Sequence, residues 1–232
     1  MSTALPAAVS PRALRVAGLC YLAIIGLGLW SEAFVRGSLV VAGDAAATAQ
    51  RIAADPQLWR LGLAADLVMQ LLDLPVIVVM WQLLRPVNAT LALTATGLNL
   101  VQTAVLVANR VQLLAALSLT TSVTLAAALP AGQREGLAML AVQLHSQGFG
   151  IGLIFFGAAC VLRGIVILQG GPVPRLLGVL LAVAGVAYLV NSFALLLAPK
   201  VAAMLFPAVL LPAFVGELLF ALWLTLGRHG RA

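Results

Sequence analysis

Apolar residues run along this chain in long, nearly unbroken blocks, and polar positions gather in the short gaps between them. Six such blocks cover residues 16–34, 59–84, 89–117, 137–168, 176–197 and 201–226. Each approaches or exceeds the roughly 20 apolar residues a helix needs to cross a bilayer. Hydrocarbon holds no water to meet backbone N–H and C=O groups, so such blocks take the helical form, which satisfies its own. The pattern predicts an all-α, polytopic membrane helical bundle of about six transmembrane helices, a single membrane domain over residues 1–232. Arg12 and Arg15 precede the first block, and Trp30, Glu32 and Phe34 stand where a small-x-small cleavage site would be needed. That block therefore reads as a retained helix rather than a leader.

Only one gap is sizeable, residues 35–57, expected to be an extracytoplasmic loop. Its GDAAATAQRIAADP stretch offers Asp44 as an N-cap and Pro56 as a stop, which predicts a short surface helix. Turns with Pro86, Gly170, Gly171, Pro172 and Pro199 separate the other blocks.

Composition sharpens the reading. Of 232 residues, 63% are hydrophobic and 9% charged, with a mean hydropathy of +1.12, whereas soluble domains carry roughly 25% charged residues. No length is left for a soluble domain. The net charge of +6 is spread over single basic residues, with no run or stripe of the kind nucleic acid requires. Orientation explains these charges better. With the N-terminus inside, seven arginines face the cytoplasm: Arg12, Arg15, Arg85, Arg163, Arg175, Arg228 and Arg231. The outer side then has Arg36, Arg51, Arg60, Arg134 and Lys200, and Arg110 falls within the third helix. Both termini are thus expected in the cytoplasm. Cys20 and Cys160 sit inside apolar blocks and read as unpaired core thiols.

Ionisable side chains inside hydrocarbon are costly and mark candidate sites. Glu32, Asp66, Asp73, Glu217, His145 and Arg110 qualify, with the amides Asn99, Gln102 and Asn191. Counting from the inner arginines, Glu32 is 17 residues from Arg15, Asp66 19 from Arg85, His145 18 from Arg163 and Asn191 16 from Arg175. At about 1.5 Å per residue these four share one level, roughly 24 to 29 Å up, and are expected to line one ligand-binding pocket near the outer interface. Asp73, Asn99, Gln102 and Glu217 form a second level at mid-membrane. Asp66, Gln70 and Asp73 fall on one stripe of the second helix, and Asn99, Gln102 and Asn109 on one stripe of the third, with Arg110 beside it. The plainer reading is that such groups only hold a bundle together. Glu32 and Arg36, four apart, read as an interfacial pair. Gly148 and Gly152 make a small-residue contact face beside His145, suited to a neighbouring helix or to oligomerisation.

The stretches GLWSEAFVRGSLVVAGDAAATA, RLGLAADLVMQLLD, RPVNATLAL, HSQGFGIGLIFFGAACVLRG, PRLLGVLLAVAGVAYLVNSFALLLAP and LLPAFVGELLFALWL occur in that order. Together they resemble the bacterial membrane family described as domain of unknown function 4386. The resemblance implies a helical membrane fold in a bacterial plasma (inner) membrane and supplies no activity. Glu32, Arg36, Asp66, Asp73, His145, Pro174, Arg175, Asn191 and Glu217 lie in the stretches that carry it.

The classes that remain are a bundle that binds or moves a small ligand or ion, a metal-dependent intramembrane enzyme of hydrolase type, and an accessory subunit. His145, Asp66 and Glu32 would supply a metal with one nitrogen and two carboxylates. A mid-membrane carrier would use Asp73 and Glu217, with kinks at Pro75, Pro207 and Pro212. Two-histidine haem ligation is set aside, because His229 lies past the sixth helix, far from His145. No cofactor is expected, a bound metal ion being the one open option.

Overall fold

The structure is a computed structural model and describes residues 9–205 and 208–227. It is an all-α helical bundle, with no strand among the described residues. Nine helices are distinguished here: α1 (Pro11–Leu39), α2 (Ala45–Ala54), α3 (Pro56–Leu84), α4 (Ala89–Thr121), α5 (Val123–Ala128), α6 (Ala131–Gln169), α7 (Arg175–Leu197), α8 (Pro199–Leu205) and α9 (Leu211–Leu226). Among the described residues six segments are long and apolar enough to cross a membrane: α1, α3, α4, α6, α7 and Ala208–Leu226, which is α9 with the 3₁₀ turn before it. Large apolar side chains such as Leu19, Leu71, Val111, Val186 and Leu219 stand exposed, as a lipid-facing surface requires.

Two differences from the expected boundaries stand out. The fourth block extends at its N-terminal end into a helix of 39 residues, about 58 Å long and so well beyond the roughly 30 Å of hydrocarbon. The expected helix over 201–226 is divided between α8 and α9, and Phe206 and Pro207 lie outside the described residues. So do Met1, Arg228, His229, Arg231 and Ala232, on which the inner-face count partly rested. The surface helix is present as α2. Asp44 caps it by accepting from Ala47 N at 2.9 Å, after Gly43 in the left-handed region at φ 76°.

The chain divides into two compact units, described separately. The first comprises Met1–Ala23, Leu72–Thr103 and Gly150–Ala232, the second Ile24–Leu71 and Ala104–Phe149. In the first, α6 and α7 form an antiparallel hairpin closed by facing glycines. A Cβ on Gly164 would come within 2.6 Å of the Gly178 carbonyl, and one on Gly157 within 2.8 Å of the Gly185 carbonyl. Without a driving force from water, membrane helices associate through such close backbone approach. The connecting turn uses Gly170 and Gly171 at φ 147° and 100°, which other residues rarely adopt.

The second unit is organised by an irregularity in α1. Residues Ser31–Arg36 form a π-helical turn, with Gly37 N bonding five residues back to Glu32 O. This turn sets Val35 against α3 where Gly62 leaves room, a Cβ there meeting Val35 Cγ1 at 2.8 Å. Around it lies an apolar core of Val35, Leu39, Ile52, Trp59, Leu63, Leu113, Leu117 and Ala141. The Trp59 indole donates to the Leu113 carbonyl at 2.9 Å, fastening α3 to α4.

Candidate functional site

Asp66 lies one helical turn beyond Gly62 on α3 and is buried. Its Oδ2 accepts from Arg36 Nη1 at 2.8 Å and stands 3.5 Å from Arg110 Nη1 on α4. The same Arg110 nitrogen is 3.1 Å from His145 Nε2 on α6. Asp66 and His145 thus meet through one nitrogen, which puts them within about 7 Å of each other. A guanidinium offers only hydrogens, so His145 Nε2 is the acceptor. Asn109 lies at the ring's other edge, its Nδ2 3.1 Å from Nδ1 and donating to the His145 carbonyl at 2.8 Å. Gly148 makes this possible, since a Cβ there would collide with the Asn109 side chain. That glycine therefore packs inside the chain, and Gly152 is buried as well.

Glu32 is the outlying member. Its side chain is 70% exposed and its Oε2 accepts from Arg36 Nε at 2.7 Å. Arg36 so bridges an exposed carboxylate and a buried one, beyond the interfacial pair expected of it. Four buried atoms of this unit find no protein partner: Arg134 Nε and, around this site, Asp66 Oδ1, Gln70 Oε1 and Arg110 Nε. Val35, Arg36, Trp59, Gly62, Leu63 and Leu113 line a shallow crevice with no enclosed space for a water molecule. Asn191 is not part of this unit; it lies half-buried on α7 of the first.

The residues expected at mid-membrane, Asp73, Asn99, Gln102 and Glu217, lie in the first unit. Asp73 Oδ2 accepts from Asn99 Nδ2 at 3.0 Å and from Thr103 Oγ1 at 2.8 Å. Asn99 Nδ2 also donates to Gln102 Oε1 at 2.8 Å, and its Oδ1 accepts from Arg163 Nη2 at 2.5 Å. Arg163 is buried. It belongs to this network, a role beyond the orientation charge and depth marker for His145 that the sequence suggested. Glu217 accepts from both tyrosines of the chain, Tyr21 at 2.9 Å and Tyr188 by a shorter bond. No signal in the sequence singled out these phenols, because a neutral aromatic in an apolar helix reads as packing. Cys160 is buried and both cysteines are free.

The donor set suits a metal poorly. Asp66 Oδ2 is engaged by two guanidiniums, Glu32 by Arg36 and His145 Nε2 by Arg110, so cations already sit among the three expected ligands. Among the described residues no group of three or more His, Cys, Asp or Glu is placed to hold a metal ion.

The model of the family described as Domain of unknown function (DUF4386) matches residues 16–227. The chain belongs to this family. That span takes in every residue of both polar networks. No curated protein and no solved structure matches this DUF4386 chain, so membership supplies no chemistry, and the membrane architecture rests on the six long apolar helices.

Proposed function

We propose that this multi-pass membrane protein binds, and presents or moves, a small polar ligand at the Arg36–Asp66–Arg110–His145 site of its second unit. The observation that carries this reading is the trio of buried, unpartnered atoms Asp66 Oδ1, Gln70 Oε1 and Arg110 Nε. In an apolar surrounding such atoms are costly unless met. Two acceptors and one donor call for a ligand that donates at one end and accepts at the other, as a small amino or hydroxy carboxylate does. Its acidic end would face the guanidiniums, and its amine or hydroxyl Asp66 and Gln70. Exposed Glu32 holds Arg36 from the open side and is the arm freest to swing away. A metal-dependent hydrolase is less well supported, because guanidiniums stand where the metal would.

Thermal unfolding of the purified protein against amino acids, hydroxy acids, polyols and divalent metals tests the proposal. A midpoint rise with an amino or hydroxy acid, lost in Asp66→Asn, is expected. If no member of the panel moves the midpoint, water alone meets these atoms and the reading fails.

For orientation we propose a bacterial inner membrane with both termini cytoplasmic. Removing the internal Arg163 and Arg36 from the count leaves six basic residues inside against four outside, the same sign of bias. Reporter fusions at each loop decide this, and an extracytoplasmic C-terminus would overturn it.

A further inference from the structure

The buried charges of the first unit do not balance. Asp73 is joined to Arg163 through Asn99, which donates to the acid and accepts from the guanidinium. One acid and one cation are thereby matched. Glu217 is a second acid in the same neighbourhood, within electrostatic reach of Asp73, Arg163 and Cys160. Among the described residues no cation touches it. Its hydrogen-bond partners are Tyr21 from α1 and Tyr188 from α7, which donate hydrogens and bring no charge.

An uncompensated carboxylate among apolar helices is unfavourable and calls for a neutralising partner. A hydrated metal cation does not fit here. Gly216, next in sequence, is pressed against α7 so tightly that a Cβ would come within 2.8 Å of the Leu180 carbonyl, and Ala213, Phe220 and Ala221 on the same helix are fully buried. A proton needs no such space.

We propose that Glu217 is the seat of a single exchangeable proton in the membrane-embedded first unit. Loading forms one O–H bond on the carboxyl, with the proton drawn from and returned to water, and no electron moves. The new O–H donates to one of the two phenols, whose own hydrogen must then turn away. Because Tyr21 and Tyr188 tie α9 to α1 and α7 respectively, loading redistributes the bonds among these three helices. The groups facing Glu217 are Tyr21 on α1, Asp73 on α3, Cys160 and Arg163 on α6 and Tyr188 on α7. This site is separate from the ligand site of the second unit and stands or falls without it.

Infrared spectroscopy of the full chain in lipid nanodiscs tests the proposal, since the carbonyl band of a protonated carboxylic acid needs no reagent to reach it. The band should be present at neutral pH and absent in Glu217→Gln. Asp73→Asn leaves Arg163 without its acid and favours the ionised form of Glu217, so the band should weaken at the same pH. Tyr188→Phe keeps the carboxyl, removes one bond and should move the band's frequency, which keeps the test alive if Glu217→Gln fails to fold. A wild-type spectrum without the band from mildly acidic to mildly alkaline pH overturns the proposal. So does a band that survives Glu217→Gln and vanishes in Asp73→Asn, which would place the proton on the other acid.

Discussion

Arg36 and Asp66, thirty residues apart on different helices, meet at 2.8 Å between Nη1 and Oδ2, with the carboxylate side chain 1% exposed. Taking away one member of a buried ion pair strands the other, and the loss is typically about 3 kcal/mol. Asp66→Asn should therefore destabilise the protein by that order, leaving Arg36 and Arg110 facing each other. The double variant with Arg36→Gln should recover part of it, giving a coupling energy above about 1 kcal/mol in reversible unfolding. Simple additivity of the two substitutions would show that the pair is not coupled.

Glu32 contacts the same guanidinium from solvent. Exposed ion pairs contribute about 0–1 kcal/mol, so Glu32→Gln should shift stability by less than about 1 kcal/mol while Asp66→Asn shifts it several-fold more. Both values come from the same unfolding measurement. Equal losses would make Glu32, rather than Asp66, the anchor of Arg36.

Gly148→Ala should displace Asn109, because the added Cβ falls on its side chain. Overpacking of this kind costs about 1–3 kcal/mol. In an Asn109→Ala background the clash is gone, and the same substitution should cost much less. Comparing the thermal midpoints of the single and double variants checks this.

Gly164→Ala and Gly97→Ala should have opposite signs. The first pushes a methyl into the Gly178 carbonyl, whereas a Cβ on Gly97 meets nothing within 4 Å. Alanine is the better helix former by about 1 kcal/mol. Gly97→Ala should thus be neutral or stabilising and Gly164→Ala destabilising, read as midpoint shifts measured side by side.

The six spanning segments were legible from apolar run length, because hydrocarbon thickness imposes a length that composition alone reveals. That Asp66 and His145 lie close, each against Arg110, is compatible with their similar count along the helices, which did not foresee the arginine between them. Arg36 and Arg163 take part in buried networks that the charge count did not foresee, for a shared reason: a basic residue near the end of an apolar run looks like an orientation signal whether it reaches water or folds back onto an acid. Asn191 falls in the other unit from Asp66 and His145, a division that a count of depth along single helices does not carry. The phenols on Glu217 and the mirrored glycines of α6 and α7 are matters of pairing between helices, which one-dimensional spacing does not carry.

The loosened turn at Ser31–Arg36 has a consequence for comparing members of this family. A π turn holds one residue more than an unbroken helix would place in the same rise. Deleting any one of those six residues would leave the segment as apolar and nearly as long, yet rotate whatever follows by about 100°. The guanidinium that reaches Asp66 would then point elsewhere. Members of the family should accordingly be sorted by chain length between the counterparts of Trp30 and Gly37. An arginine aligned by gap placement alone can occupy the right column and the wrong side of its helix.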